Sequence, residues 1–187
     1  MKLKRVVVSI TSAAYFFAAA QSPHIATMLQ EGLFAKTLVK TPQGYTPIET
    51  FKEGVVLTGH DLEHNYVNQI VTGITKKKVS HYFKITIGNA VIYAAPQQKF
   101  YQPDSFDWIA AQDITTTTVL LKDRTDRCTI DAVERVEQEA ELFCLTVEGH
   151  NFCITPYDIV VHNFAPALVV PFATVTPEAI TWKQADQ

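Results

Sequence analysis

From Thr37 onward the apolar residues recur mostly with a period of two, and the runs that carry this pattern are short. "TLVKT" (37–41) is β-branched and alternating, and "GVVLTG" (54–59) repeats the pattern between turn residues. "NQIVTGITKKKV" and "HYFKITIGNAVIYAA" are rich in Val, Ile, Tyr and Phe, the composition of half-buried strands. Inside the latter, "IGNA" (87–90) predicts a tight hairpin turn. "ELFCLTVEG" (141–149) sets Phe143, Leu145 and Val147 on one face and Cys144 and Thr146 on the other, with "NFCIT" and "DIVVHN" as two last short strands. One short helix is predicted, at "FDWIAAQDI" (106–114). Regular strands between turn signals, with no helices to make βαβ crossovers, predict an all-β fold.

The first twenty residues read differently. Lys2, Lys4 and Arg5 precede the apolar run "VVVSITSAAYFFAAA", which ends in three alanines. Basic cap, short apolar run and small-residue site form the pattern of a secretory signal peptide, and predict a secreted or periplasmic protein. An uncleaved membrane anchor is the alternative, although the run is short for a span. The basic residues directly before the run argue against a buried core helix. Residues 21–32 are expected to form a linker or short helix, with Ser22-Pro23 as a helix start. The tail 164–187 contains Pro166, Pro171 and Pro177 and is expected to be extended, as in an edge strand.

Composition narrows the function. The 187 residues, 47% hydrophobic and 19% charged, suit one globular domain with a core. Loss of residues 1–20 removes three basic and no acidic side chains, so the net charge moves from −3 to −6. That balance argues against nucleic acid and anionic membrane surfaces as partners. Three cysteines, Cys128, Cys144 and Cys153, allow at most one disulfide. Cys144 and Cys153 flank a Gly-His turn and could pair, or serve as small buried apolar side chains. His60 and His64 in "GHDLEHN" would suit zinc on a helix, but the segment reads as a polar loop with solvated side chains, so no metal or cofactor is expected. Ser80, Ser105 and the run Thr115–Thr118 stand in no triad context.

Four stretches, taken in order, resemble one family. "GLFAKTLVKTPQGYTPIETFKEG" (32–54), "VIYAAPQQKFY" (91–101), "DWIAAQDI" (107–114) and "LFCLTVEGHNFCITPYDIVVHN" (142–163) are similar to the motifs of the Hint domain. This is the self-processing module of hedgehog proteins, inteins and bacterial intein-like domains. The resemblance covers residues 33–163. It implies a pseudo-two-fold horseshoe of short strands in which the first and last residues of the module meet.

The resemblance also implies a chemistry. A Cys at the start attacks the preceding carbonyl and turns an amide into a thioester. Leu33 stands there and has no nucleophilic atom, while Gly32 matches the residue whose carbonyl would be attacked. The second motif supplies a Thr and a His to polarise the scissile amide, where Ala95 and Gln98 stand. Ala95 donates nothing from its side chain, and Gln98 cannot titrate. At the other end the resemblance places Asn163 as the residue that cyclises onto its own backbone carbonyl, with His162 and His150 assisting. These three are the candidate reactive residues. Phe164 follows where splicing members carry Cys, Ser or Thr, so splicing is not expected. Two expectations follow. The first is an exported, degenerate, non-splicing module that binds an unidentified protein or peptide. The second is an autoprocessing domain making one cut after Asn163, with no turnover of external substrate.

Overall fold

The structure is a computed structural model and describes residues 31–163. The signal peptide, most of the linker or short helix, and the extended tail all concern segments outside the described residues. The described residues run through fifteen strands: β1 (Leu33–Phe34), β2 (Leu38–Thr41), β3 (Gly44–Pro47), β4 (Val56–His60), β5 (Tyr66–Val79), β6 (Tyr82–Ile87), β7 (Ala90–Ala94), β8 (Lys99–Gln102), β9 (Asp107–Ala110), β10 (Val119–Lys122), β11 (Asp126–Thr129), β12 (Ala132–Val136), β13 (Ala140–Val147), β14 (Asn151–Ile154) and β15 (Ile159–His162). A seven-stranded sheet has the order β12-β6-β7-β1-β13-β5-β4, a six-stranded sheet the order β3-β2-β14-β15-β8-β9, and β10-β11 form a ribbon. All the pairings are antiparallel.

The period-two reading holds. Along β6 the pattern of Tyr82–Ile87 alternates half-buried and buried, and the turn between β6 and β7 is Gly88-Asn89, with Gly88 at φ 57°. The expected helix over 106–114 is corrected. Asp107–Ala110 are a strand paired with β8, and only Ala111–Asp113 make a single 3-10 turn. Trp108 and Ile109 do not share one helical face. They alternate across a ribbon against Tyr101 and Phe100, so tertiary pairing overrides the local pattern. β5 is long because it serves two partners: Tyr66–Ile70 pair with β4 and Val71–Val79 with β13. The register shifts at the bulge opposite Thr146 and Val147.

One core joins both large sheets. Leu33, Leu57, Ile85, Phe100, Leu145, Phe152 and Val161 belong to the same buried cluster. Fully burying such side chains contributes about 1.5–3 kcal/mol each relative to leaving them exposed. β1 lies centrally, between β7 and β13, and β15 lies between β14 and β8. Both chain ends of the module are thereby fixed in the interior of sheets.

All three cysteines are unpaired. Cys144 lies on β13 of one sheet and Cys153 on β14 of the other, both buried. Of the two readings open in the sequence, the structure gives the small buried side chain. Burial pushes the thiol pKa of each of the three upward.

Asp158 anchors the last hairpin. Tyr157 and Asp158 both adopt left-handed backbone conformations, with φ of 61° and 52°, which cost free energy in non-glycine residues. The buried carboxylate offsets that cost by accepting hydrogen bonds from Tyr45 Oη at 2.7 Å and Tyr66 Oη at 2.8 Å, and by pairing with Lys40. The Lys40 ammonium also lies 4.4 Å from the centre of the Tyr66 ring. Burial pushes the Asp158 pKa up, but the bonds from Lys40, Tyr45 and Tyr66 outweigh it and hold it below the ordinary value. The anionic form is therefore the one the fold selects. Its contribution is present above the unfolded pKa and is lost as pH falls through the lower folded value. We expect Asp158→Asn to lower the unfolding free energy by about 2 kcal/mol at pH 7. Urea titrations should show the difference shrinking below about pH 4, where an unfolded Asp protonates. A variant as stable as the parent at pH 7 would contradict this role.

Candidate functional site

The candidate residues come from four places. Gly32 and Leu33 enter the seven-stranded sheet at β1. Ala95 and Gln98 form the turn between β7 and β8. His150 ends the β13–β14 turn, and His162 and Asn163 end β15. The turn over 95–98 is held by Gln98 N–H donating to Ala95 C=O at 3.0 Å. The 3-10 turn that follows β9 fixes it from outside, with Gln112 N–H donating to Pro96 C=O at 3.0 Å and Ala111 N–H to Gln98 C=O at 2.8 Å.

Gln98 joins the two ends of the module. Its Oε1 accepts from Gly32 N–H at 3.1 Å, and its Nε2 donates to His162 C=O at 2.8 Å and to Lys99 C=O at 3.2 Å. The side chain is almost wholly buried. A neutral carboxamide suits the position, since it donates and accepts at once without a charge to desolvate. Ala95 contributes only its backbone, donating to Gly32 C=O at 2.8 Å.

The amide that Gln98 holds therefore joins Glu31 to Gly32, one residue upstream of the one expected from the sequence. Gly32 sits at φ 145°, where L residues are strained. A Cβ there would lie 3.1 Å from Leu142 Cβ and 3.2 Å from Phe143 O. Leu33 is fully buried between Phe143 and Ala94. Neither position holds a nucleophile, and the one facing Gln98 is crowded against any side chain.

At the other end, Asn163 N–H donates to His150 C=O at 3.0 Å, which continues the β14–β15 register past its last paired residues. The Asn163 side chain is 2% exposed, and neither Oδ1 nor Nδ2 has a hydrogen-bond partner among the described residues. Such an orphaned buried amide is uncommon and costly in a protein interior. His162 stacks at 6.4 Å on His150 and packs edge-on against Trp108 at 5.0 Å. Its Nδ1 is buried and unpartnered. Burial, with Lys99 and His150 nearby, lowers the His162 pKa to about 4, so the ring is neutral at physiological pH. A neutral imidazole can accept or donate a hydrogen bond beside Asn163, but it is no ready source of a proton.

His60 departs from the expectation of a solvated loop histidine. β4 extends to His60 through its pairing with Tyr66, and the side chain is buried. Both ring nitrogens lack partners, and burial first, then His64, lowers its pKa to about 4. His60 and His64 lie 6.3 Å apart, and no set of three or more His, Cys, Asp or Glu residues is grouped to hold a metal among the described residues. His60 belongs instead to a file of rings running through Tyr66, His64, Tyr101 and Trp108 to His162. Periodicity did not reveal this file, whose members come from five strands and a loop.

Solved structures share this arrangement of strands. A bacterial intein-like domain from Clostridium thermocellum superposes with a TM-score of 0.66 at 20% identity, covering 71% of this chain and 99% of its own. The DnaB intein from Synechocystis sp. PCC 6803 gives a TM-score of 0.63 at 16% identity, over 72% of this chain and 99% of its own. The fold is of the Hint type. The gp41-1 intein, at 24% identity and a TM-score of 0.59, covers 71% of this chain and 98% of its own. No protein-family model matches the chain, and no curated protein matches it. At these identities the likeness concerns the Hint-type fold, and residue roles must be argued from the geometry.

Two measurements test that geometry. Gln98→Leu leaves Gly32 N–H and His162 C=O without their partner, and should lower the unfolding free energy by about 1–3 kcal/mol in chemical denaturation. Buried His60 and half-buried His162 both have folded pKa values below the unfolded one, so folding favours their neutral forms. Their contribution is complete above the unfolded pKa of about 6.5 and is lost as pH falls toward 4. In an NMR titration the His60 and His162 rings should keep neutral chemical shifts down to about pH 5. A midpoint near 6.5 for either would contradict the environment described for it.

Proposed function

We propose that this chain is an exported, degenerate Hint-type module that has lost the thioester step, does not splice, and serves as a stable binding or structural unit for a protein or peptide partner. The observation that carries the reading is the Gln98 clasp. A non-titrating side chain bonds both ends of the module, and neither Gly32 nor Leu33 offers a thiol or hydroxyl. Thioester formation needs a nucleophile whose attack is coupled to proton transfer, and both parts are missing. The basic, apolar and small-residue pattern of residues 1–20 supports export.

A second reading rests on Asn163. Its orphaned amide, buried beside a neutral His162, supports a single cut at the Asn163–Phe164 bond. In that step Nδ2 attacks the Asn163 backbone carbonyl carbon, a new C–N bond closes a succinimide, and the bond to Phe164 nitrogen breaks. The proton lost by Nδ2 balances the one gained by the leaving amine. Nucleophile and carbonyl belong to one residue, so proximity is built in. A carboxamide nitrogen is a weak nucleophile, and with no thioester step to couple to, the reaction would take days rather than minutes.

Intact-mass measurements over several days at pH 7 separate the two. The structural reading expects the full-length mass to persist in both the parent and Asn163→Ala. The cleavage reading expects a fragment ending at residue 163, lighter by one water than its acid, in the parent only. A fragment in both would sink the cyclisation chemistry.

A further inference from the structure

Beside the clasped ends lies a cavity of about 600 Å³, walled by Tyr101, Trp108, Leu121 and Val160 and rimmed by Leu62 and Phe106. The two rim side chains are 100% and 77% exposed, unusual for large apolar residues. Two polar side chains line the cavity without a full complement of partners: His60, 5% exposed with both ring nitrogens unpaired, and Gln69, 6% exposed with Oε1 unpaired. Gln69 is held there by close backbone approach. A Cβ on Gly59 would lie 2.4 Å from its side chain and one on Gly149 2.3 Å, so both positions need glycine. Buried polar atoms without partners are costly and mark places where a ligand completes the hydrogen bonding. What is missing is a donor for Gln69 Oε1 and a donor–acceptor pair for a neutral imidazole, and peptide groups supply both.

The register of the last hairpin identifies the peptide. Asn151 pairs with His162, and Asn163 N–H donates to His150 C=O. The last described residue, Asn163, thus leaves the hairpin beside the turn that carries Gly149, which lines the cavity. Side chains alternate along a strand. Val160 lines the cavity and His162 packs on Trp108, so a chain continuing extended from Asn163 would present its next side chain toward that same face. That next residue is the aromatic Phe164, and Ala165, Pro166, Ala167 and Leu168 follow it.

We propose that this cavity is the seat of the chain's own segment beginning at Phe164, with the Phe164 ring against Trp108 and the following peptide groups completing His60 and Gln69. The inference deepens the proposed function, on whose reading of residues 33–163 as a Hint-type module it rests. It names the peptide that the module binds. A cut after Asn163 would then leave the segment bound until it dissociated.

The chain has two tryptophans, Trp108 and Trp182, so Trp182→Phe makes Trp108 the sole fluorophore. The test uses the full chain with Trp182→Phe and Asn163→Ala, which keeps it uncut, and acrylamide as quencher. Adding Phe164→Ala should raise the Stern–Volmer constant of Trp108 at least two-fold, and a synthetic peptide spanning residues 164–172 should restore the shielding. Leu62→Ser, at a fully exposed site that cannot disturb folding, should raise it in the same direction. Equal quenching with and without Phe164→Ala overturns the proposal. So does shielding that grows with protein concentration, which would assign the cavity to a second copy. Because the readout is taken on uncut protein, a failed docking result leaves the intact-mass result standing, and the converse holds.

Discussion

The Gln98 side chain connects the two ends of the module. β1 is buried in the seven-stranded sheet and β15 in the six-stranded sheet, and only the Gln98 carboxamide bonds the Gly32 amide to the His162 carbonyl. Everything at the candidate site is measured from that bridge. It fixes where β15 ends, and so where Asn163 sits and which backbone atoms it meets. It also requires the turn over residues 95–98 to hold its shape, which the 3-10 turn after β9 ensures. A histidine at position 98 could make similar bonds in one protonation state and lose one of them in the other. The glutamine makes both at any physiological pH, so the link is permanent rather than adjustable.

The two ends differ in what they leave unsatisfied. On the Gly32 side every backbone group named here has a partner, and the local geometry closes around glycine. On the Asn163 side a carboxamide and an imidazole nitrogen are buried without partners. Interiors tolerate few such groups, and among the described residues they fall at two places, His162 with Asn163 at the end of β15 and His60 with Gln69 in the cavity wall.

Much of the fold was legible because strands declare themselves through alternation. β6 and β7 carry a period of two, and the Gly88-Asn89 turn announces itself by residue type. The segment over 106–114 was misread as helix because Trp108, Ile109, Ala110 and Ala111 form an apolar cluster, and a four-residue run cannot distinguish a period of 3.6 from a ribbon paired on one side. At the site, the order of the motifs brought Gln98, His150, His162 and Asn163 to notice. The offset to Gly32 did not appear, because a backbone N–H leaves no mark in sequence. Nor did the buried His60 and Gln69: "GHDLEHN" is polar throughout, and only the pairing of His60 with Tyr66 draws that histidine out of the loop. The glycines at 59 and 149 were the available signal, since each marks a close approach whose partner lies far along the chain.

The three unpaired cysteines carry a consequence of their own. Two are buried on separate sheets, and all three thiols are held above their ordinary pKa. Reaction with an oxidant proceeds through the thiolate, which is scarce here at neutral pH. No crosslink joins the three cysteines in this fold. The packed β structure of the described residues consequently rests on apolar burial and hydrogen bonding rather than on a covalent link between its sheets.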